Sequence, residues 1–203
     1  MFKPLRHLAT PLLCVVFAAA MFGCESVSST HMLGTPVAPP TDRVRDLSGT
    51  WMGDDGQTLT IKQLPGGSLR IAIITEEGAE DSFTFKLKQL RGQLTINGDR
   101  VFINVYPAAD DPDHAGEPLR YSFLQLVGNA ERNMVLHSPK VAVWRDAVEN
   151  GKLPGEVVKG EHSLEVRLSA SSEQLNGFVT EANIASLFNG DQPVVLRRTT
   201  ATP

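Results

Sequence analysis

Basic residues are few and scattered in this chain. Its 19 Lys and Arg stand against 23 Asp and Glu, a net charge of −4 with a pI near 5.7. Nucleic acid, which requires a basic face opposite its phosphates, is therefore a poor partner class. Long apolar runs are missing after residue 22, so no later segment has the ~20 residues needed to cross a bilayer as a helix. Cysteine occurs only as Cys14 and Cys24, too rarely for a disulfide framework. The five histidines show neither His-x-x-x-His nor Glu-x-x-His spacing, which leaves no zinc motif. A Gly-x-Ser-x-Gly elbow is absent as well, so no motif with a catalytic mechanism stands out.

What is present is a 203-residue chain with a hydrophobic fraction of 41%, enough for one core or two small ones. Modest charge and strand-length apolar runs exclude a fully disordered chain. The N-terminus carries Lys3 and Arg6, followed at residues 8–22 by an apolar run that includes Cys14 and ends in Met21-Phe22. A basic head and an apolar stretch of that length have the layout of a secretory signal and are short for a mature transmembrane helix.

Met21-Phe22-Gly23-Cys24 then resembles the lipobox of bacterial lipoproteins. The resemblance implies that residues 1–23 are removed and that Cys24 becomes the first mature residue, acylated on sulfur and nitrogen. It also implies a lipid-anchored envelope location. Asp after the cysteine is that family's usual inner-membrane signal, so Glu25 favours the outer membrane, with the domain facing the periplasm or cell surface. Cleavage takes Lys3 and Arg6 away, leaving 17 basic side chains against 23 acidic ones, net −6. No intramolecular disulfide is then possible, so burial alone must stabilise the fold. Residues 24–46, rich in Ser, Thr and Pro, read as the lipidated N-terminus and a flexible tether, with His31 inert within it.

From Leu47 the apolar period becomes two. Thr58–Lys62 and Ser68–Ile73 alternate, and Ser82–Lys88 places Phe83, Phe85 and Leu87 on one expected core face with lysines on the other. Asp54-Asp55-Gly56, Pro65-Gly66-Gly67, Glu76-Glu77-Gly78 and Asn97-Gly98 are turn signals, the last expected to be a type I′ hairpin. Further strands are expected at 93–97, 100–106, 120–127, 133–137, 163–169 and 194–199. Two helices interrupt the later strands. Ser138-Pro139 reads as N-cap and first turn of one near 139–150, and Ser171-x-x-Gln174 as a capping box opening another near 172–188. The fold class is mainly β with two helices. About ten strands form an antiparallel meander that curls into a half-open or closed barrel, one domain over 47–203.

Gly49-Thr50-Trp51 on the first expected strand resembles the Gly-x-Trp opening of lipocalins, antiparallel barrels in which a late Arg covers the Trp. The resemblance implies that Arg197 or Arg198 fills that role. Strand alternation selects Arg198, because it shares a face with Val194 and Leu196.

Three groups of residues are candidate sites. Asp110-Asp111-Pro112-Asp113-His114 supplies oxygens but lacks the spacing of a calcium loop, and reads as a solvated acidic turn. His114, His137 and His162 are isolated. Trp51, Tyr106, Tyr121 and Trp144, with Phe102 and Phe123, can line an apolar pocket or barrel end, Arg198 included, or else belong to the core. No catalytic residue, metal ligand or cofactor emerges. The expected function is a non-enzymatic, membrane-anchored envelope lipoprotein with a β-rich binding or assembly domain. Its partners are the membrane, through acyl chains, and an envelope protein or apolar small molecule. A lipocalin-like carrier of a small apolar ligand is the alternative, and a hydrolase ranks third.

Overall fold

The computed structural model describes residues 25–39, 41–42, 44–54, 56–79, 82–108, 116, 118–129 and 131–199. Among these residues there are twelve strands and three α-helices. The barrel strands are β3 (Gly49–Gly53), β4 (Thr58–Gln63), β5 (Ser68–Ala79), β6 (Ser82–Asn97), β7 (Arg100–Pro107), β8 (Ser122–Asn129), β9 (Asn133–His137) and β12 (Val194–Arg198). Each pairs antiparallel with its neighbours in the order β3-β4-β5-β6-β7-β8-β9, and β12 fits between β9 and β3. The β6–β7 pairing completes the ring, so the barrel is closed and eight-stranded. Closure removes the free sheet edges that an open meander would expose.

Strand alternation fills the interior. Leu69, Ile71 and Ile73 of β5, Leu90 and Leu94 of β6, Val101, Ile103 and Val105 of β7, and Trp51 of β3 all point inward, none more than 6% exposed. Gly92, between Leu90 and Leu94, leaves room for its neighbours: a Cβ there would stand 3.3 Å from both Ile71 Cδ1 and Leu69 Cβ.

A second core lies outside the barrel wall. Phe102 of β7 and Phe123 of β8 point outward, with ring contacts to Phe188 and, for Phe123, to Trp144. The cover consists of helices α1 (Val141–Glu149), α2 (Ser172–Phe178) and α3 (Ile184–Leu187), with a small sheet beside them. In that sheet β11 (Leu164–Leu168) pairs antiparallel with β10 (Gly155–Lys159) and parallel with β1 (Glu25–Ser29).

The segment expected as a tether is largely built into the fold. Val27, Leu33, Val44 and Leu47 are buried, and the two-residue strand β2 (Thr35–Pro36) pairs with β6. Asn104, fully buried on the outer face of β7, grips this segment as a strand neighbour would. Its Oδ1 accepts from Leu33 N–H at 2.9 Å, and its Nδ2 donates to Leu33 O at 3.0 Å and to Thr95 Oγ1 at 2.8 Å. Next to it, Gly34 adopts φ +88°, and a Cβ would lie 2.8 Å from Thr95 Oγ1. Only glycine suits both constraints.

Four local expectations change. The 97–100 hairpin forms, but Gly98 (φ +57°) and Asp99 are its loop residues, and positive φ occurs only at Gly98. That is the requirement of a type II′ turn. Ser138 does not cap α1: the N-cap is Lys140, without a side-chain bond, while Ser138 Oγ accepts from Asn189 Nδ2 at 2.9 Å. The helix expected over 172–188 is two short ones, because Asn183 Nδ2 donates to Phe178 O and Asn183 Oδ1 accepts from Thr180 N–H in the break. The capping box of Ser171 and Gln174 does open the first of them.

The fourth change concerns β6. Phe85 and Leu87 are 67% and 58% exposed, not in the core; Phe83 lies outside the described side chains. Beyond Ile74 and Leu90 the β5–β6 ribbon outruns both of its barrel neighbours, since β4 ends opposite Ile74 and β7 ends opposite Leu90. No interior exists there to receive apolar side chains. The inward residues Leu90 and Leu94 also hold the opposite phase from Phe85 and Leu87, with unbroken β5–β6 register between them.

Replacing Asn104 with Ala strands the Leu33 N–H in an apolar layer and removes one donor from its carbonyl. It should destabilise the fold by about 2–4 kcal/mol. Urea unfolding measures the loss, and hydrogen exchange at Leu33, slow in the native chain, should accelerate well before global unfolding. Fast exchange at Leu33 in the native chain would contradict the clamp.

Candidate functional site

The end of the barrel where β3 begins and β12 finishes holds the most specific geometry among the sequence candidates. Trp51 alternates inward on β3 and is fully buried, its Nε1 donating to Leu47 O at 2.9 Å. Arg198 is its Cα partner across the β3–β12 ladder. The Arg198 guanidinium carbon lies 4.6 Å from the Trp51 ring centroid, within cation–π range. Its Nη2 donates to Asp46 O at 3.0 Å. Gly49, at φ +139°, passes beneath this guanidinium, with an added Cβ 3.7 Å from Nη1. Arg197 points the other way and pairs with Asp54 at 3.1 Å on the surface. Alternation therefore separates the two arginines, with Arg198 over the ring and Arg197 in solvent.

Asp46 completes the cap. Its Oδ1 accepts from Ser48 Oγ at 2.6 Å and from Ser48 N–H at 2.8 Å. These bonds, chiefly the hydroxyl and with a smaller contribution from the Arg198 charge, hold its carboxyl below the usual carboxylate range. The stability this lends is present above the ordinary Asp value, about 4, and is lost as pH falls through the lowered folded value. Asp46 belongs to the segment whose composition suggests a tether, and it is nevertheless part of this cap. The available signal was Asp46-Leu47-Ser48 itself, an Asx-turn pattern directly before the strand.

The other aromatic candidates do not join Trp51. Tyr106 and Tyr121 meet edge to face at 5.2 Å where β7 ends and β8 begins, the opposite end of the barrel. Burial, then the neighbouring Tyr106, pushes the Tyr121 hydroxyl up from its ordinary pKa. Trp144 on α1 lies outside the barrel wall, packed on Phe123 at 5.1 Å and Phe178 at 5.5 Å, with Nε1 donating to Leu187 O. Three separate locations replace one aromatic pocket. The described interior is also occupied by its own side chains. At its middle levels Trp51, Leu59, Ile61, Leu69, Ile71, Leu90, Leu94 and Ile103 are packed against one another with 0–6% exposure.

Among the described residues no three His, Cys, Asp or Glu side chains gather as metal ligands. The acidic run 110–113 with His114, and Cys24, lie outside the described residues. His137 is half-buried, and burial lowers its pKa; His31 and His162 are exposed. The hydroxyl of Thr30 stands 3.1 Å from Nδ1 of its sequence neighbour His31 at the surface.

Trp51→Ala should cost about 3–5 kcal/mol, because it empties a fully buried ring position. Arg198→Ala should show a coupling of about 0.5–2 kcal/mol with it in a double-mutant cycle followed by denaturant unfolding. Arg197→Ala should couple to Trp51 by less than measurement error. Equal coupling for both arginines would mean that the stacked geometry does not form in solution. No family model, no curated protein and no solved structure matches this chain.

Proposed function

We propose that this chain is a membrane-anchored envelope lipoprotein whose barrel serves binding or assembly without catalysis. The observation that carries the reading is the order of three N-terminal features: the basic head with Lys3 and Arg6, the apolar run 8–22, and Gly23-Cys24. Acyl chains on Cys24 would each add about 0.8 kcal/mol per buried methylene, enough in combination for lasting attachment. Strand β1 begins at Glu25, immediately after that cysteine. An anchor at Cys24 would therefore hold the domain against the bilayer with almost no spacer. A closed β-barrel is consistent with a binding or carrier domain. The packed interior and the exposed apolar residues Met52, Ile74, Phe85 and Leu87 support binding on the outside of the barrel.

A second reading, a lipocalin-like carrier of one small apolar ligand, has the closed eight-strand barrel and the Trp51–Arg198 pair in its favour. It requires interior side chains to move aside. An apolar fluorescent probe titrated into the protein separates the two: saturable binding lost on enlarging Leu94 to Trp supports the carrier.

Cys24→Ala tests the anchor. Cells producing the native chain should incorporate labelled palmitate into it and retain it in membranes. The variant should take up no label and remain an uncleaved precursor, since acylation normally precedes cleavage in this class. Normal release of a soluble mature domain from Cys24→Ala would overturn the lipoprotein reading.

A further inference from the structure

The hairpin joining β10 to β11 turns over beside the first residue of β1. Glu25 has Leu164 as its Cα partner, and Leu164 in turn has Lys159. That row ends the small sheet. Only the turn Gly160–Ser163 lies beyond it, closed by Gly160 N–H donating to Ser163 O at 2.8 Å. One strand spacing of ~4.8 Å and two residues of ~3.4 Å put His162 about 8 Å from Glu25. Lys159, Gly160, Glu161, His162 and Ser163 are all exposed, and none is a large apolar residue. Lys159 has no ion-pair partner among the described residues. Such a tip suits a layer of charged headgroups, with phosphate as the partner of the ammonium, and has nothing to insert into hydrocarbon.

The other end of β1 orients the barrel. Its five residues rise about 13 Å from Glu25 to Ser29. Ser29 N–H donates to Tyr121 O at 2.9 Å, and Ser29 O accepts from Tyr121 N–H at 2.8 Å, an antiparallel bridge. Tyr121 directly precedes β8, at the barrel end where β7 stops opposite Leu90. The β5–β6 ribbon leaves the barrel at that same end and continues to Phe85 and beyond. We propose that the β10–β11 tip is the surface this domain lays on lipid headgroups, and that the ribbon with its exposed Phe85 and Leu87 is held away from the bilayer. This orientation rests on the anchor at Cys24 proposed above and specifies which surface the anchor brings to the lipid. No residue separates Cys24 from β1, so a bilayer holding its acyl chains would lie against Glu25 and whatever flanks Glu25. Apolarity alone would favour the reverse, with Phe85 and Leu87 dipping into the membrane. The length and direction of β1 oppose that arrangement.

The test uses the full-length chain, purified from the membranes of cells that produce it. It is reconstituted in vesicles of phosphatidylethanolamine and phosphatidylglycerol that carry a nitroxide on some headgroups. Intact mass reports the acyl chains. With Cys14 cleaved away and Cys24 acylated, a cysteine introduced as Glu161→Cys, His162→Cys or Phe85→Cys is the single free thiol and takes a bimane label. Trp51 emission before labelling checks that each variant folds. Nitroxide quenching should be at least about threefold stronger at 161 and 162 than at 85, which strand lengths place more than about 20 Å further from Glu25. A chain without acyl mass would remove the anchor and this orientation with it. An acylated chain quenched equally at both ends, or more strongly at 85, would overturn the orientation and leave the anchor standing.

Discussion

Strand β7 is the wall on which the molecule depends. Val101, Ile103 and Val105 face the barrel interior while Phe102 and Asn104 face outward, and all five are buried. A strand covered on both faces must be apolar throughout, apart from groups that find internal partners. Phe102 joins the outer aromatic cluster, and Asn104 takes the backbone of Leu33. The same five residues therefore tie together the barrel, the helical cover and the N-terminal segment. Asn104 is the one place on this strand where an apolar substitution would leave a backbone group stranded rather than merely add packing.

Much of the barrel was legible because its strands follow a simple rule. Thr58–Lys62 and Ser68–Ile73 alternate with one buried face, and the structure buries that face. The choice of Arg198 over Arg197 needed only parity with Leu196, since an odd shift reverses faces. The capping box at Ser171 was legible because both of its bonds are local. The exceptions share a different cause. Phe85 and Leu87 alternate as cleanly as any core strand, but whether an interior lies beside them depends on where β4 and β7 stop. The Ser-, Thr- and Pro-rich composition of residues 25–46 suits a tether, yet Leu33 is held by Asn104 and Thr95 far along the chain and Val44 packs into the barrel core. Ser138-Pro139 carries every local signal of a helix start, and Asn189 Nδ2 takes the hydroxyl first. Local chemistry identifies these elements; distant chain decides which face is wet.

Barrel closure has its own long-range character. β12 arrives after the whole helical insertion and fits between β9 and β3, so the ring is completed only when the C-terminal strand meets the first barrel strand. The Trp51–Arg198 contact sits on that seam, one partner from each side. Its modest energy thus acts where the loop-closure cost is greatest, on the contact of largest sequence separation in the ring. In this chain the pair locks the closing strand in place, with the Asp46–Ser48 turn bracing it from outside.

A barrel locked at its seam and filled by its own Leu, Ile and Val side chains directs attention to its surface. Burial has used most inward residues of the barrel strands, so a binding role would draw on outward ones. Those are not uniformly polar: Met52, Ile74 and Leu87 occupy adjoining outward positions on one sheet and are exposed. An anchor at Cys24, as proposed, would add no contact to that face but would restrict how it is presented, because molecules held at one bilayer surface keep few orientations. With β1 starting at the next residue, little chain would be left to randomise those orientations.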